Sequence, residues 1–177
     1  DYYDIEFLRV GLLALEGTDP AVVDAQFTEF VDRYIDALFA ACTQEVDAST
    51  DHSVMTRDQL AIYAAGGHAR EQAFDDDFDL FVILDADDDV LRTYARKIVT
   101  RMNAEIIKRG SLPHYRIAEY NGDFVTSLRD LDQIFTDTPD AFVDKCQVLG
   151  SRLLVGSQRL AEAFDRRIIV PHIFDQA

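Results

Sequence analysis

The stretch GGHAREQAFDDDFDLFVILD, residues 66–85, decides the expected fold. A glycine pair and a charged turn lead through a run of aspartates into an apolar segment. Residues 78–84 have the length and the aromatic and β-branched content of a buried strand. The carboxylates that open this strand repel one another and are costly to bury without partners. They are therefore either solvated residues at a strand entrance or ligands of a cation.

The composition is that of a globular chain with a large acidic excess. The 177 residues are 48% hydrophobic and carry a formal net charge of −16. This length is sufficient for one hydrophobic core. The negative charge argues against a nucleic acid as the main partner, because phosphate contacts need clustered Lys and Arg. No apolar run is long enough to span a bilayer, so we expect no membrane partner either.

The chain start and the cysteines bear on origin and compartment. Asp1-Tyr2-Tyr3-Asp4 contains no initiator Met and is not typical of a signal peptide, so we expect a piece of a longer protein. Cys42 and Cys146 lack metal-type spacing, and each lies in a helical apolar pattern. They are expected to be buried, reduced thiols in a cytoplasmic protein.

Residues 1–50 are expected to form an N-terminal helical segment. Apolar residues recur at helical spacing in 2–15, at Ile5, Leu8, Leu12 and Leu15. Asp19 followed by Pro20 is typical of a helix start, and a second, longer helix is predicted from there. Residues 47–58 are polar and are predicted to form a loop leading into a short helix.

Residues 51–135 are expected to form the core, and residues 136–177 a C-terminal helical segment. Strands are predicted at 60–65, 78–84 and 115–120, with a helix over 88–109 and another from Thr126. One long final helix is predicted from Pro139, with an apolar face made of Phe142, Cys146, Leu149, Leu153 and Leu160. The predicted fold class is α/β (α+β), a small mixed sheet with flanking N- and C-terminal helices.

The strand entrance at 77–79 is the candidate metal site. Side chains alternate along a strand, so Asp77 and Asp79 point to the same side. Paired carboxylates suit Mg²⁺ or Mn²⁺, and Mg²⁺ usually shares its ligands with substrate phosphates. Gly66 and Gly67 let a backbone come close to a phosphate, and Arg70 is placed to bind a phosphate oxygen. A D-x-D pair alone is a weak signal, because solvated aspartates are common at strand entrances.

The whole arrangement resembles the signature of the DNA polymerase β-like nucleotidyltransferases. The nearest variants are the glutamine synthetase adenylyltransferases and the PII uridylyltransferases. The register matches at Glu71, Phe74, Asp77, Asp79 and Leu80, although Gly-Gly lies two residues further from the glutamate than in the adenylyltransferases. Two later segments, GDFVTSLRDLDQIF and DKCQVLGSRLLVGSQRLAEAF, are also similar to the family. Arg152 and Gly156 fit its pattern, whereas Ser157 stands where an Asp is usual.

The resemblance implies a Mg²⁺-dependent transfer of a nucleoside monophosphate from ATP or UTP to a hydroxyl. The acceptor would be a protein side chain or a small molecule. Asp77 and Asp79 would be catalytic and hold the metal, and Gly66, Gly67 and Arg70 would bind phosphate. The family's third acidic residue has its best substitute in Glu119, at the end of the third predicted strand. The alternative is that Glu119 is a solvent-facing residue before a turn.

Two other functions fit parts of the sequence. A regulatory module could keep the fold and nucleotide binding without transferring anything, as the uncertain third carboxylate and Ser157 suggest. A purely structural helical protein would leave the D-x-D unexplained. His68, His114 and His172 each stand alone in the sequence and are expected at the surface or in loops.

Overall fold

The computed structural model describes residues 2–50, 59–72, 74, 78–85, 88–109, 115–120, 122–140 and 142–175. Within them the order is α1 Tyr2–Leu15, α2 Pro20–Ser49, β1 Leu60–Ala65, α3 Gly66–Ala69, β2 Phe78–Leu84, α4 Asp89–Arg109, β3 Tyr115–Ile117, β4 Val125–Ser127, α5 Leu128–Asp137, α6 Phe142–Val148, β5 Arg152–Val155, α7 Gln158–Phe164 and a π-helix Asp165–Phe174. The predicted α/β class is confirmed. In the ranges described, no helix is both long and apolar enough to cross a bilayer.

The sheet is mixed and is built around β2. Antiparallel β1 pairs with β2 along its whole length, from Leu60 opposite Leu84 to Ala65 opposite Asp79. The other edge of β2 carries two short parallel strands, β3 beside its start and β4 beside its end. Strand β5 extends the sheet beyond β1, again antiparallel. The start of β2 therefore lies beside the end of β1, which is where the glycine turn begins.

The central strands have the bounds that the sequence predicted, 60–65 and 78–84. All six residues of β1 are buried. A strand covered on both faces is a continuous apolar run, bounded by residues that stop it. Gly66 follows β1, and Asp79 is the second residue of β2.

Helices cover both faces of the sheet. On one face, side chains such as Ile62 and Val82 pack against α1, α2 and α4. Tyr94, Ile98 and Met102 of α4 are buried there, as predicted. On the other face, Tyr63 and Phe81 stack with ring centroids 5.0 Å apart, under α5, α7 and the π-helix. The sheet is therefore the middle layer of three.

The start of α2 is confirmed and its end lies later than predicted. The Asp19 carboxylate accepts a hydrogen bond from the Ala21 N–H, with Pro20 as the first helical residue. The helix continues to Ser49, into the predicted loop. The rest of the predicted loop, residues 51–58, lies outside the described residues.

The prediction of one long C-terminal helix is wrong. The segment instead forms α6, β5 and α7, and Leu153 lies in β5, opposite Tyr63 of β1. Gly150 and Gly156 flank the strand with φ of +73° and +123°. These backbone conformations interrupt a helix, and L side chains rarely adopt them. The helical spacing of the apolar residues across them was coincidental.

The third predicted strand is shorter, and a further strand follows it. Strand β3 ends at Ile117, and β4 occupies Val125–Ser127, where the sequence suggested the start of a helix. Helix α5 begins at Leu128 because Ser127 and Asp130 form a capping box. The two side chains bond each other's backbone N–H groups at 3.1 Å.

The orientation of α1 differs from the sequence prediction. The stripe made of Ile5, Leu8, Leu12 and Leu15 is exposed, with Leu15 86% accessible. Tyr3 and Val10 are fully buried instead. This helix is apolar around most of its circumference, so periodicity alone could not decide which face meets the core.

Both cysteines are free, as predicted. Cys42 is buried in the core beside α4. Cys146 is exposed, so its predicted burial is wrong. Its helix, α6, is one of the short elements that replace the long helix, and that helix would have turned Cys146 inward.

Candidate functional site

Gly66 and Asp79 meet at one edge of the sheet. Asp79 pairs with Ala65, the last residue of β1, and Gly66 follows directly. Gly66 has a φ of +57°, and a Cβ at this position would lie 3.2 Å from Oδ2 of Asp79. The turn backbone therefore packs against a partly exposed carboxylate, in a space that any side chain at 66 would fill.

The other metal-site residue, Asp77, lies outside the described residues. Asp79 points to the same face as Phe81 and Ile83, because side chains alternate along β2. Among the residues that the structure describes, no three His, Cys, Asp or Glu side chains group as metal ligands. The part of the predicted site that is described, one carboxylate beside a glycine backbone, fits a cation that also takes phosphate oxygens.

The turn after Gly66 is held by its own backbone. Arg70 and Gln72 donate N–H bonds to the Gly67 carbonyl, at 3.1 and 2.9 Å. Gly67 is buried, and the Arg70 side chain is exposed just beyond α3. Glu71 has a φ of +58°, which is uncommon for a residue with a side chain. The predicted phosphate-binding residues therefore share one tight turn at the end of β1.

The third candidate carboxylate, Glu119, is exposed and follows β3. The parallel register places Arg116 opposite Asp79 and Ile117 opposite Leu80. Glu119 is three residues beyond Arg116 in the sequence, past the last residue of β3 at Ile117. The exposure of Glu119 agrees with the alternative of a solvent-facing residue before a turn, and its part in a metal site stays a prediction.

A polar network anchors the glycine turn to α2 and β5. His68, in α3, is fully buried, and its Nε2 lies 3.0 Å from Oδ1 of Asp32 in α2. Arg152, at the start of β5, binds the same carboxylate through Nη1 at 2.5 Å and Nη2 at 3.1 Å. The expectation of a surface histidine at 68 is therefore wrong. The carboxylate ties three separate elements together at the end of β1.

The electrostatics of this network keep Asp32 ionised. Burial alone raises the pKa of a carboxyl, but hydrogen bonds from His68 and Arg152 outweigh it and hold the pKa of Asp32 below its usual range. The Asp32 carboxylate balances the charge of the Arg152 guanidinium, which binds it through two nitrogens. His68 and Arg152 lie 36 and 120 positions from Asp32 in the sequence. No spacing pattern in the sequence could therefore have identified this network.

The segment between the turn and β2 is fixed at Phe74. Its ring lies 5.9 Å from that of Phe7 and 5.5 Å from that of Phe27, between centroids. Its backbone N–H donates to the Asp24 carboxylate at 3.2 Å. Helices α1 and α2 therefore hold a point a few residues before the candidate metal ligands.

Ser157, one of the departures from the resemblance, has a structural role. Its side chain caps α7 by accepting a hydrogen bond from the Leu160 N–H at 3.3 Å. Asp and Ser are both good N-cap residues, so an Asp could make the same contact. The preceding Gly156 lies against β1, where a Cβ would come within 2.6 Å of the Leu60 carbonyl oxygen.

A separate cleft of about 730 Å³ is lined by residues of α4, of β4 with the segment before it, and of α5. Arg92 binds Asp130 at 2.6 Å and lies 3.7 Å from Asp123. Arg96 also pairs with Asp123. These ion pairs join α4 to the segment that leads into β4 and to α5.

The sequence matches no model of a known protein family, and no curated protein matches it.

Proposed function

We propose that this chain is a Mg²⁺-dependent nucleotidyltransferase domain of the DNA polymerase β-like type. It would transfer a nucleoside monophosphate from ATP or UTP to a hydroxyl of a protein or a small molecule. The observation that carries the proposal is the contact between the Gly66 turn and the Asp79 carboxylate at a shared sheet edge. The proposal rests on this geometry together with the sequence resemblance.

The order of elements supports the assignment. A buried strand ends in a glycine turn, an acidic residue opens the neighbouring strand, and a helix leads to a parallel strand beside it. The resemblance implies the same order. The arrangement also explains why position 66 is a glycine, because a side chain there would occupy the space next to Asp79.

Each residue has a distinct part in the proposed reaction. Asp79 and Asp77 would hold Mg²⁺ or Mn²⁺, and Gly66 and Gly67 would admit the phosphates. The exposed Arg70 would neutralise a phosphate oxygen. When bound, the divalent cation would neutralise the negative charge that develops on the phosphates during transfer. The chain supplies mainly alignment and charge, rather than a covalent nucleophile.

The proposed step is a direct displacement. The acceptor oxygen forms a bond to the α-phosphorus of the nucleotide, and the bond from that phosphorus to the bridging oxygen breaks. Pyrophosphate leaves with the electron pair, and the acceptor's proton is released to water. No change of redox state and no further reactant is needed.

A regulatory nucleotide-binding module is the second candidate function. The observation that favours it is that Glu119 is exposed and lies past the end of β3, outside the pairing with β2. Two-metal chemistry relies on carboxylates that bridge both ions. A chain with only Asp77 and Asp79 at the strand entrance would bind a nucleotide and turn it over slowly or not at all.

Two measurements on the same preparation separate the candidates. Thermal unfolding is followed with each of the four nucleoside triphosphates, with and without Mg²⁺, since a ligand of the folded state raises the midpoint. Transfer is followed as pyrophosphate release and as label retained from an α-labelled nucleotide. Binding with transfer supports the enzyme, and binding alone supports the regulatory module. No Mg²⁺-dependent shift with any nucleotide contradicts both.

A further inference from the structure

We infer that Asp32 of α2 is a positioning residue for the glycine turn, acting through His68. This inference rests on the proposed function insofar as it concerns nucleotide binding. The turn begins at Gly66, and His68 is its first residue with a large side chain. That side chain is fully buried, and its Nε2 lies 3.0 Å from the Asp32 carboxylate.

The geometry makes Asp32 the common support of three elements. His68 contacts one carboxylate oxygen from α3, and Arg152 contacts both oxygens from β5. A carboxylate held by a bidentate guanidinium has a fixed orientation. The imidazole of His68 therefore meets a carboxylate oxygen in a fixed position. This contact holds the imidazole in place, together with the turn that carries it.

Arg152 lies at the same edge of the sheet as the turn. It pairs with Ala64, two residues before Gly66. Strand β1 therefore brings together the start of β5, the glycine turn and, through Ala65, Asp79 of β2. A shift of His68 relative to α2 would move the backbone that packs against the Asp79 carboxylate.

The position of the turn matters because binding at such a site depends on backbone placement. A glycine at φ +57° has no side-chain packing of its own to hold it. The turn's own hydrogen bonds, from Arg70 and Gln72 to Gly67, keep its shape but do not attach it to the rest of the chain. The His68–Asp32 contact makes that attachment on the α2 side.

The test compares three variants with the wild-type chain. Asp32→Asn removes the charge that both partners use, and His68→Ala removes the link to the turn while keeping the Asp32–Arg152 pair. Asp36→Asn is the matched control, because Asp36 is exposed one turn further along α2. Amide hydrogen exchange is measured for residues 66–72 and, separately, for β1 and β2. Affinity for ATP and UTP is measured with Mg²⁺ present.

We expect His68→Ala and Asp32→Asn to speed exchange of 66–72 relative to β1 and β2, and to weaken nucleotide affinity about tenfold. That is the loss expected of one charge-assisted hydrogen bond. Asp36→Asn should change neither. A merely structural role would raise exchange in β1 and β2 by the same factor as in the turn, which would overturn the inference. Unchanged exchange in the turn would overturn it too.

Two further outcomes are covered by the design. If Asp32→Asn does not fold, His68→Ala decides the question, because it keeps the charge pair. If the wild-type chain binds no nucleotide, the proposed function fails, and the exchange comparison alone decides whether Asp32 positions the turn.

Discussion

Gly66 and Asp79 lie so close that a Cβ on Gly66 would be 3.2 Å from the carboxylate oxygen of Asp79. The two residues are 13 positions apart in the sequence, and the pairing of β1 with β2 brings them together. Gly66 also holds a left-handed backbone conformation, with φ of +57°. This relationship joins the turn to the acidic strand entrance, and the proposed function depends on it.

Gly66→Ala should weaken nucleotide binding by more than its effect on stability explains. The added methyl group takes the space beside Asp79, and the left-handed conformation costs about 1 kcal/mol for Ala. Gly17→Ala is the control, with φ of +80° and no atom within 4 Å of the added Cβ. Urea unfolding and nucleotide titration are measured on both variants. Equal binding by the two variants would contradict the proposed role of Gly66.

Gly156→Ala should destabilise the chain by about 3 kcal/mol, because a Cβ there would meet backbone that cannot move aside. The contacts would be 2.6 Å to the Leu60 carbonyl oxygen and 2.9 Å to the Ala61 Cα. Gly150→Ala, with φ of +73° and open space, should cost only the backbone strain, about 1 kcal/mol. Denaturant unfolding gives both values. Similar losses for the two would show that β5 does not pack against β1 in this way.

The Asp32 network should make stability depend on acid. The pKa of Asp32 is lowered in the folded chain, so its contribution is fully present above the unfolded-state value of about 4. It is lost as the pH falls through the lower, folded-state pKa. The free energy of unfolding of the wild-type chain should therefore decrease more than that of Asp32→Asn as the pH is lowered below about 4. Parallel curves for the two chains would show that Asp32 is not stabilised as a carboxylate.

The two thiols should react at different rates in the native chain. Burial, reinforced by Glu45 and Glu105, raises the pKa of the Cys42 thiol to about 11, whereas Cys146 is exposed. Titration with a thiol reagent at pH 8 should modify Cys146 quickly and Cys42 only on unfolding, since the thiolate is the reactive form. Cys146→Ser should remove the fast phase alone. Two equally slow thiols would contradict the exposed position of Cys146.

The parts of the fold that the sequence predicted well are those with one possible environment. Strand β1 is apolar on both faces, and so is β2 apart from Asp79. A continuous apolar segment predicts a strand buried on both faces, and the polar or glycine residues that flank it predict where the strand ends. Asp19 before Pro20 offered a cap at one position. In α1, by contrast, apolar residues occupy most faces, and Leu8 and Leu12 turned out to be exposed.

The errors arose where short elements depend on distant partners. Strand β5 has four residues and exists because β1 offers it an edge, while the spacing of Cys146 and Leu153 imitated a helix. Gly150 and Gly156 were the sequence signal that could have revealed the breaks on either side of β5. No comparable signal marks Asp32, because its partners His68 and Arg152 come near it only once the sheet has formed. Of the candidate site, local sequence could predict the turn and the strand entrance, but not what supports them.

The most direct test of the central claim is nucleotide titration of the Asp79→Asn chain with and without Mg²⁺, beside the wild-type chain and the Asp36→Asn control. Asp79→Asn should abolish Mg²⁺-dependent binding and transfer, because a neutral amide is a much poorer ligand for the cation. Thermal unfolding of the metal-free variant is measured alongside, so that a loss of binding is not confused with a loss of the fold. Binding of ATP or UTP by folded Asp79→Asn as tightly as by the wild-type chain would contradict the account.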